Sequence, residues 1–119
     1  MQRDARAYLW DIRQCADATT KFTTGMGFAA YAQDELVRAA VERKFEIIGE
    51  ALGQLNKIAP DLANRIPDVR DVIAFRNVLI HGYAAVDHAR VWRAIQESLP
   101  DLRSAAVMLL DELGPPQSL

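Results

Sequence analysis

Cysteine occurs once, at Cys15, which excludes an internal disulfide and any cysteine-rich zinc site. The residue suits a small, buried, apolar role on the first helix. Long apolar runs are missing as well. The start of the chain, "MQRDARAYLW", has charges scattered through it, so neither a secretory signal nor a membrane span is expected. The expected location is the cytoplasm, with no membrane partner. Broad positive charge is also lacking: the net charge is -2 and the pI about 5.6. A protein that coats nucleic acid needs an extended basic surface, so any contact with phosphates here has to be local. Metal-ligand spacing is absent too. No E-x-x-H or H-x-x-x-H occurs, and His81 and His88 flank a loop, which argues against a metal-carboxylate bundle and leaves no cofactor expected. Internal repeats, low-complexity runs and long linkers are likewise lacking, and strand-like alternation is almost absent.

What is present is helical periodicity. At 119 residues, half of them hydrophobic, the chain suits one domain with a core of its own, expected over residues 1–114 with a flexible tail at 115–119. From Asp4 to about Thr20, Tyr8, Leu9, Ile12, Cys15, Ala16 and Thr19 recur at three and four residues. "TTGMGF" breaks that helix with two glycines. A short lead-in at Phe28 to Gln33 feeds a long helix from about Asp34 to Lys57. Its stripe is Val37, Val41, Phe45, Ile48, Leu52 and Leu55, and Gly49 and Gly53 lie one turn apart, where small residues let another helix approach closely. "APDLANRIPD" is a polar connection holding one short helical turn. Asp68 is expected to cap a helix from Val69 to about Gly82. Asp87 caps the next, through Val91, Trp92, Ile95 and Leu99, and Pro100 either kinks it or starts a new one. The stripe then continues through Leu102, Ala105, Ala106, Leu109, Leu110 and Leu113. The expected fold is an all-α bundle of four main helices plus short pieces.

One stretch does not fit a plain core helix. "FRNVLIHGY", Phe75 to Tyr83, threads an arginine, an asparagine, a histidine and a tyrosine through an apolar run. Taken singly, each has a structural reading. Arg76 can pair with a carboxylate of the long helix, Glu46 and Glu50 being the candidates. His81 can be a hydrogen-bonded structural histidine, and Tyr83 an anchor with a buried ring and a wet hydroxyl. Together the four give up apolar surface that a bundle would otherwise fill. At 100° per residue, Arg76 and His81 diverge by roughly 140°. To act on one target, either the helix distorts at His81-Gly82 or a second copy completes the site. Between Arg65 and Arg93 five arginines stand against three acids, a locally basic region in an acidic chain.

"RNVLIHGY" resembles the R-(polar)-x-x-x-H-x-Y signature of the HEPN superfamily, and specifically of HepT-like toxins. "RDARAYLWDI", "ELVRAAVERKFEIIGEAL", "IPDVRDVIAFRNVLIHGY" and "VDHARVWRAIQESLP" follow in that family's order, so the resemblance covers the chain from about Arg3 to Leu113. It implies a metal-independent RNA endonuclease, the toxin of a type VII toxin-antitoxin pair, with RNA as substrate. Arg76, Asn77 and His81 are then the catalytic candidates, with Glu46 and Glu50 supporting. His81 is the one side chain of the set that titrates near neutral pH, and Arg76 offers fixed, forked positive charge. One histidine cannot serve as both base and acid in a single step, whereas a homodimer supplies two. The resemblance further implies an MntA-like nucleotidyltransferase as antitoxin, which transfers AMP onto Tyr83 and sets negative phosphates beside Arg76. An alternative from another class is a non-catalytic module that holds the substrate of a nucleotidyltransferase.

Overall fold

The structure, a computed structural model, describes residues 3–82, 84 and 86–114. Helix α1 is Ala5–Phe22, α2 Phe28–Gln33, α3 Glu35–Ile58, α4 Pro60–Ala63, α5 Val69–His81, α6 His88–Arg93 and α7 Leu99–Leu113, with a π-helical turn at Ala94–Ser98 joining the last two. No strand occurs among the described residues. The expected bundle of four long helices is therefore present, the fourth being the run from α6 through α7. The expected tail at 115–119 lies outside the described residues.

Helix α3 is the hub. Helix α1 packs on one side of it and α5 on another, while α7 closes against α1. Residues on the stripes read from the sequence fill the interior: Leu9 and Ile12 of α1, Phe45, Ile48, Leu52 and Leu55 of α3, and Leu102 and Leu109 of α7 are all buried. Cys15 is buried on α1, where burial pushes its thiol above the ordinary range. That helix runs two residues past the expected end at Thr20. The threonines there turn inward on their own helix: Thr19 and Thr20 donate to the carbonyls of Cys15 and Ala16 at 2.8 and 3.1 Å, so their hydroxyls are satisfied without breaking the turn.

Local capping explains most boundaries. The Asp4 carboxylate accepts from the Arg6 amide at 2.8 Å, Asp34 from Val37 at 3.0 Å, and Asp87 from Ala89 at 2.9 Å. Asp68 departs from its expected role. It sits at the start of α5 with a left-handed backbone, φ 58°, and its side chain makes no capping bond. A capping side chain needs an extended backbone to fold back over the first turn, and the left-handed conformation denies it.

Pro100 lies in the first turn of α7, so of the two expected outcomes the new helix is the one that occurs, entered through the π-helical turn. Lacking an N–H, and with a ring that collides with the carbonyl four residues back, proline cannot sit in a regular α-turn. The turn before it widens instead, and the Leu99 amide donates to the carbonyl of Ala94, five residues back. One extra residue in the turn absorbs the clash, and α7 follows directly.

Candidate active site

Helix α5 carries the motif and packs chiefly on α3. Val72, Phe75 and Leu79 face inward, while Asn77, Val78 and His81 are exposed. The contact between the two helices is set at one point. A Cβ added at Gly49 would overlap Arg76 Cβ and lie 2.9 Å from Arg76 Cγ and 3.4 Å from the Val72 carbonyl oxygen. Only a residue without a side chain lets α5 come this close. Gly53, read in the sequence as a second close approach, has nothing within 4 Å of such a Cβ.

From that contact the Arg76 guanidinium emerges half-buried. Its Nη2 lies 3.0 Å from a Glu50 oxygen, and its Nη1 donates to Asn77 Oδ1 at 3.1 Å. An ion pair to α3 and a hydrogen bond within α5 thus hold the fork in place. The buried Nε–H has no acceptor among the described residues. Of the two glutamates considered, Glu50 meets Arg76, whereas Glu46 stands 3.5 Å from Arg43. Arg43, Glu46, Glu50 and Arg76 line an open groove of about 380 Å³ between α1, α3 and α5, with Tyr8 and Ile80 as its apolar walls. The part of Arg43 in this groove was missed in the sequence. Its spacing from Glu46 and Glu50, three and seven residues, puts all three on one face of α3 and was the available signal.

His81 ends α5 and is exposed. The helix stays regular to that point, since the Gly82 amide donates to the Val78 carbonyl at 2.7 Å. The distortion considered at His81-Gly82 is therefore absent on the His81 side. Arg76 faces the groove beside α3 while His81 faces outward, and among the described residues no hydrogen bond links Asn77 to His81. Asn77 is turned to the arginine instead. Tyr83, the candidate modification site, lies outside the described residues.

His88 opens α6 next to its cap Asp87, and its Nδ1 is buried without a partner among the described residues. On the neighbouring α3, burial pushes the Glu42 carboxyl above its ordinary value, with Arg38 acting in the opposite direction. Helix α6 itself packs on α2, where the Trp92 ring meets Tyr31 at 5.3 Å between centroids. Among the described residues no three His, Cys, Asp or Glu side chains are grouped so as to hold a metal ion, and no helix is long and apolar enough to cross a membrane.

Comparison with known proteins gives a consistent result. Residues 12–109 match the family model described as "Ribonuclease HepT-like". "Putative RNase MJ1380" of Methanocaldococcus jannaschii is 32% identical over 104 residues, covering 86% of this chain and 93% of that one. "Probable ribonuclease HepT" of Thermococcus cleftensis is 32% identical over 105 residues, covering 87% and 93%. "Putative RNase TTE0752" of Caldanaerobacter subterraneus is 28% identical over 107 residues, covering 90% and 95%. No solved structure matches the chain.

Proposed function

The chain belongs to the HepT-like ribonuclease family, and from that premise we propose that it is a metal-independent RNA endonuclease working as the toxin of a toxin-antitoxin pair. The observation that carries the proposal is Arg76. Its guanidinium is held by Glu50 and Asn77 on the same helix that ends at an exposed His81. Cleavage by this set proceeds through the RNA's own 2'-hydroxyl. A base removes the hydroxyl proton, the 2'-oxygen attacks the adjacent phosphorus, and the bond to the 5'-oxygen breaks as an acid protonates that oxygen. The products are a 2',3'-cyclic phosphate and a 5'-hydroxyl end. Imidazole serves as base or acid, and the arginine fork neutralises the charge growing on the phosphoryl oxygens.

The working unit in this reading is a two-fold homodimer. Arg76 and His81 diverge on a helix that stays regular, while the reaction needs a base and an acid on opposite sides of one phosphate. A dyad through the outer face of α5 brings two histidines to a shared groove. Val78, 37% exposed on that face, gives the interface an apolar element, and closed pairs are the commonest soluble oligomers. Mixing parent chains with an excess of His81→Ala chains tests this. If the shared groove needs both histidines, a mixed dimer holds only one of them, and activity falls with the square of the parent fraction rather than in proportion to it. A chain that sediments as a monomer at micromolar concentration and still cleaves RNA contradicts the shared groove.

Control is proposed to reside in Tyr83, two residues beyond His81. A partner nucleotidyltransferase directs its phenolic oxygen to the α-phosphorus of ATP, pyrophosphate leaves, and the phenol proton passes to solvent. The attached phosphate then competes with RNA for Arg76. Mass spectrometry of the chain co-expressed with its partner is expected to show one or more AMP units on Tyr83. AMP on other residues only, or none, rejects this mode of control.

A further inference from the structure

A second concavity lies on the other flank of α5, away from the Arg76 groove. It is a cleft of about 180 Å³ where α5 and α3 meet α6 and the π-helical turn, with Phe45, Asp71, Phe75, Arg90, Arg93 and Glu97 on its walls. The two phenyl rings meet edge to face at 5.5 Å between centroids. The Arg90 guanidinium lies over the Phe75 ring, 5.1 Å from its centroid. A guanidinium on an aromatic ring forms a flat, polarisable platform of the kind on which unstacked nucleobases are held. Among the described residues none of Arg90, Arg93, Asp71 and Glu97 takes part in an ion pair. Asp68 stands on the wall as well, and among the described residues it too is in no ion pair and makes no capping bond. Two strong donor groups and three carboxylates thus surround one apolar floor with their hydrogen-bonding capacity unspent.

That set ranks the ligands. A phosphate would meet three carboxylates along with the two arginines, so the cleft does not favour an anion. Its volume falls below the roughly 300 Å³ at which pockets for drug-sized ligands begin, which suits a single planar base. Guanine alone among the four RNA bases offers two adjacent N–H donor groups for a carboxylate on one edge and two acceptors, O6 and N7, for an arginine on another. Adenine and cytosine have only an amino donor beside ring acceptors, and uracil has no amino group.

We infer that this cleft is a guanine subsite, an unstacked base of the RNA lying on the Arg90–Phe75 platform with Arg93 at its acceptor edge and the cleft's carboxylates at its donor edge. Phe75 precedes His81 by six residues, about 9 Å along the helix axis, so the base belongs to a nucleotide near the attacked phosphate but not at it. The inference rests on the ribonuclease reading for its source of guanine, and binding can be measured without cleavage.

The test is a titration of the isotope-labelled full chain with GMP, AMP, CMP and UMP at up to millimolar concentration, followed by amide NMR. GMP is expected to shift the amides of Phe75, Arg90 and Glu97 and to bind about ten-fold tighter than the other three, the discrimination of one good bidentate base contact. Arg90→Ala and Glu97→Gln, both at exposed positions, are each expected to weaken GMP binding about ten-fold. Either variant suffices if the other fails to fold. Equal shifts from all four nucleotides, no shift at these amides, or unaltered GMP binding in the folded variants overturns the subsite. A chain that binds GMP in the cleft but cleaves no RNA rejects the nuclease and keeps the subsite. One that cleaves RNA without binding GMP there does the reverse.

Discussion

Replacing His81 with alanine is expected to lower RNA cleavage by about 10²–10⁴-fold, the usual contribution of a positioned general acid or base. The fold should be unaffected, because His81 is exposed at the end of α5 and outside every buried stripe. Surface changes of that kind usually stay within about 0.5 kcal/mol. Arg76→Ala is expected to cost about 10²–10³-fold, the scale seen when one preorganised transition-state donor is removed. Its ion pair is partly solvated, with Arg76 31% and Glu50 53% exposed, and such pairs contribute little to stability. Both variants should therefore keep the helical circular-dichroism signal and a Tm close to the parent while losing activity. If both unfold, the two residues are structural and the catalytic assignment is wrong.

The second large effect is expected from a residue that touches no substrate. Gly49→Val places a branched side chain where Arg76 Cβ and Cγ already stand. Those atoms are close to the α5 backbone, so the helix has to move rather than a flexible tip. Overpacking of this kind costs about 1–3 kcal/mol, which in a domain of this size lowers Tm by roughly 4–12 °C. Cleavage should fall by at least about ten-fold even at temperatures where the variant is folded, because the shift carries Arg76 away from Glu50 and Asn77. Gly53→Ala is the control. Its Cβ meets nothing within 4 Å, and removing a glycine from a helix interior is worth about 0.5–1 kcal/mol. Stability should rise slightly and activity should hold. Equal behaviour of the two variants would show that Gly49 has no special place in the site.

The contrast between these glycines shows where the sequence stops being legible. Gly49 and Gly53 are one turn apart and look alike in a helical pattern. Two crossing helices have only one point of closest approach, and which glycine occupies it depends on the crossing. Periodicity carried the helices themselves, since the positions of Ile12, Phe45, Leu52 and Leu109 follow from burying one face. Asp4, Asp34 and Asp87 cap as their types suggest, whereas Asp68 does not, because its left-handed backbone follows from the tight turn before it. The motif was visible as polar residues interrupting an apolar run. Its partners were only half visible: spacing offered Glu46 and Glu50 as equals, and packing chose Glu50 for Arg76. Arg90 stands out in the sequence only as one arginine of a locally basic region, but it covers Phe75, a contact between residues fifteen apart that no local pattern encodes.

Metal-free cleavage by these residues is tested most directly by incubating the purified chain, without partner, with labelled tRNA and mRNA in excess EDTA, beside His81→Ala prepared in the same way. The expected result is cleavage by the parent chain that leaves 2',3'-cyclic phosphate ends, with the variant slower by at least about 10²-fold. Intact RNA with the parent chain in EDTA, or equal cleavage by parent and variant, would contradict the assignment.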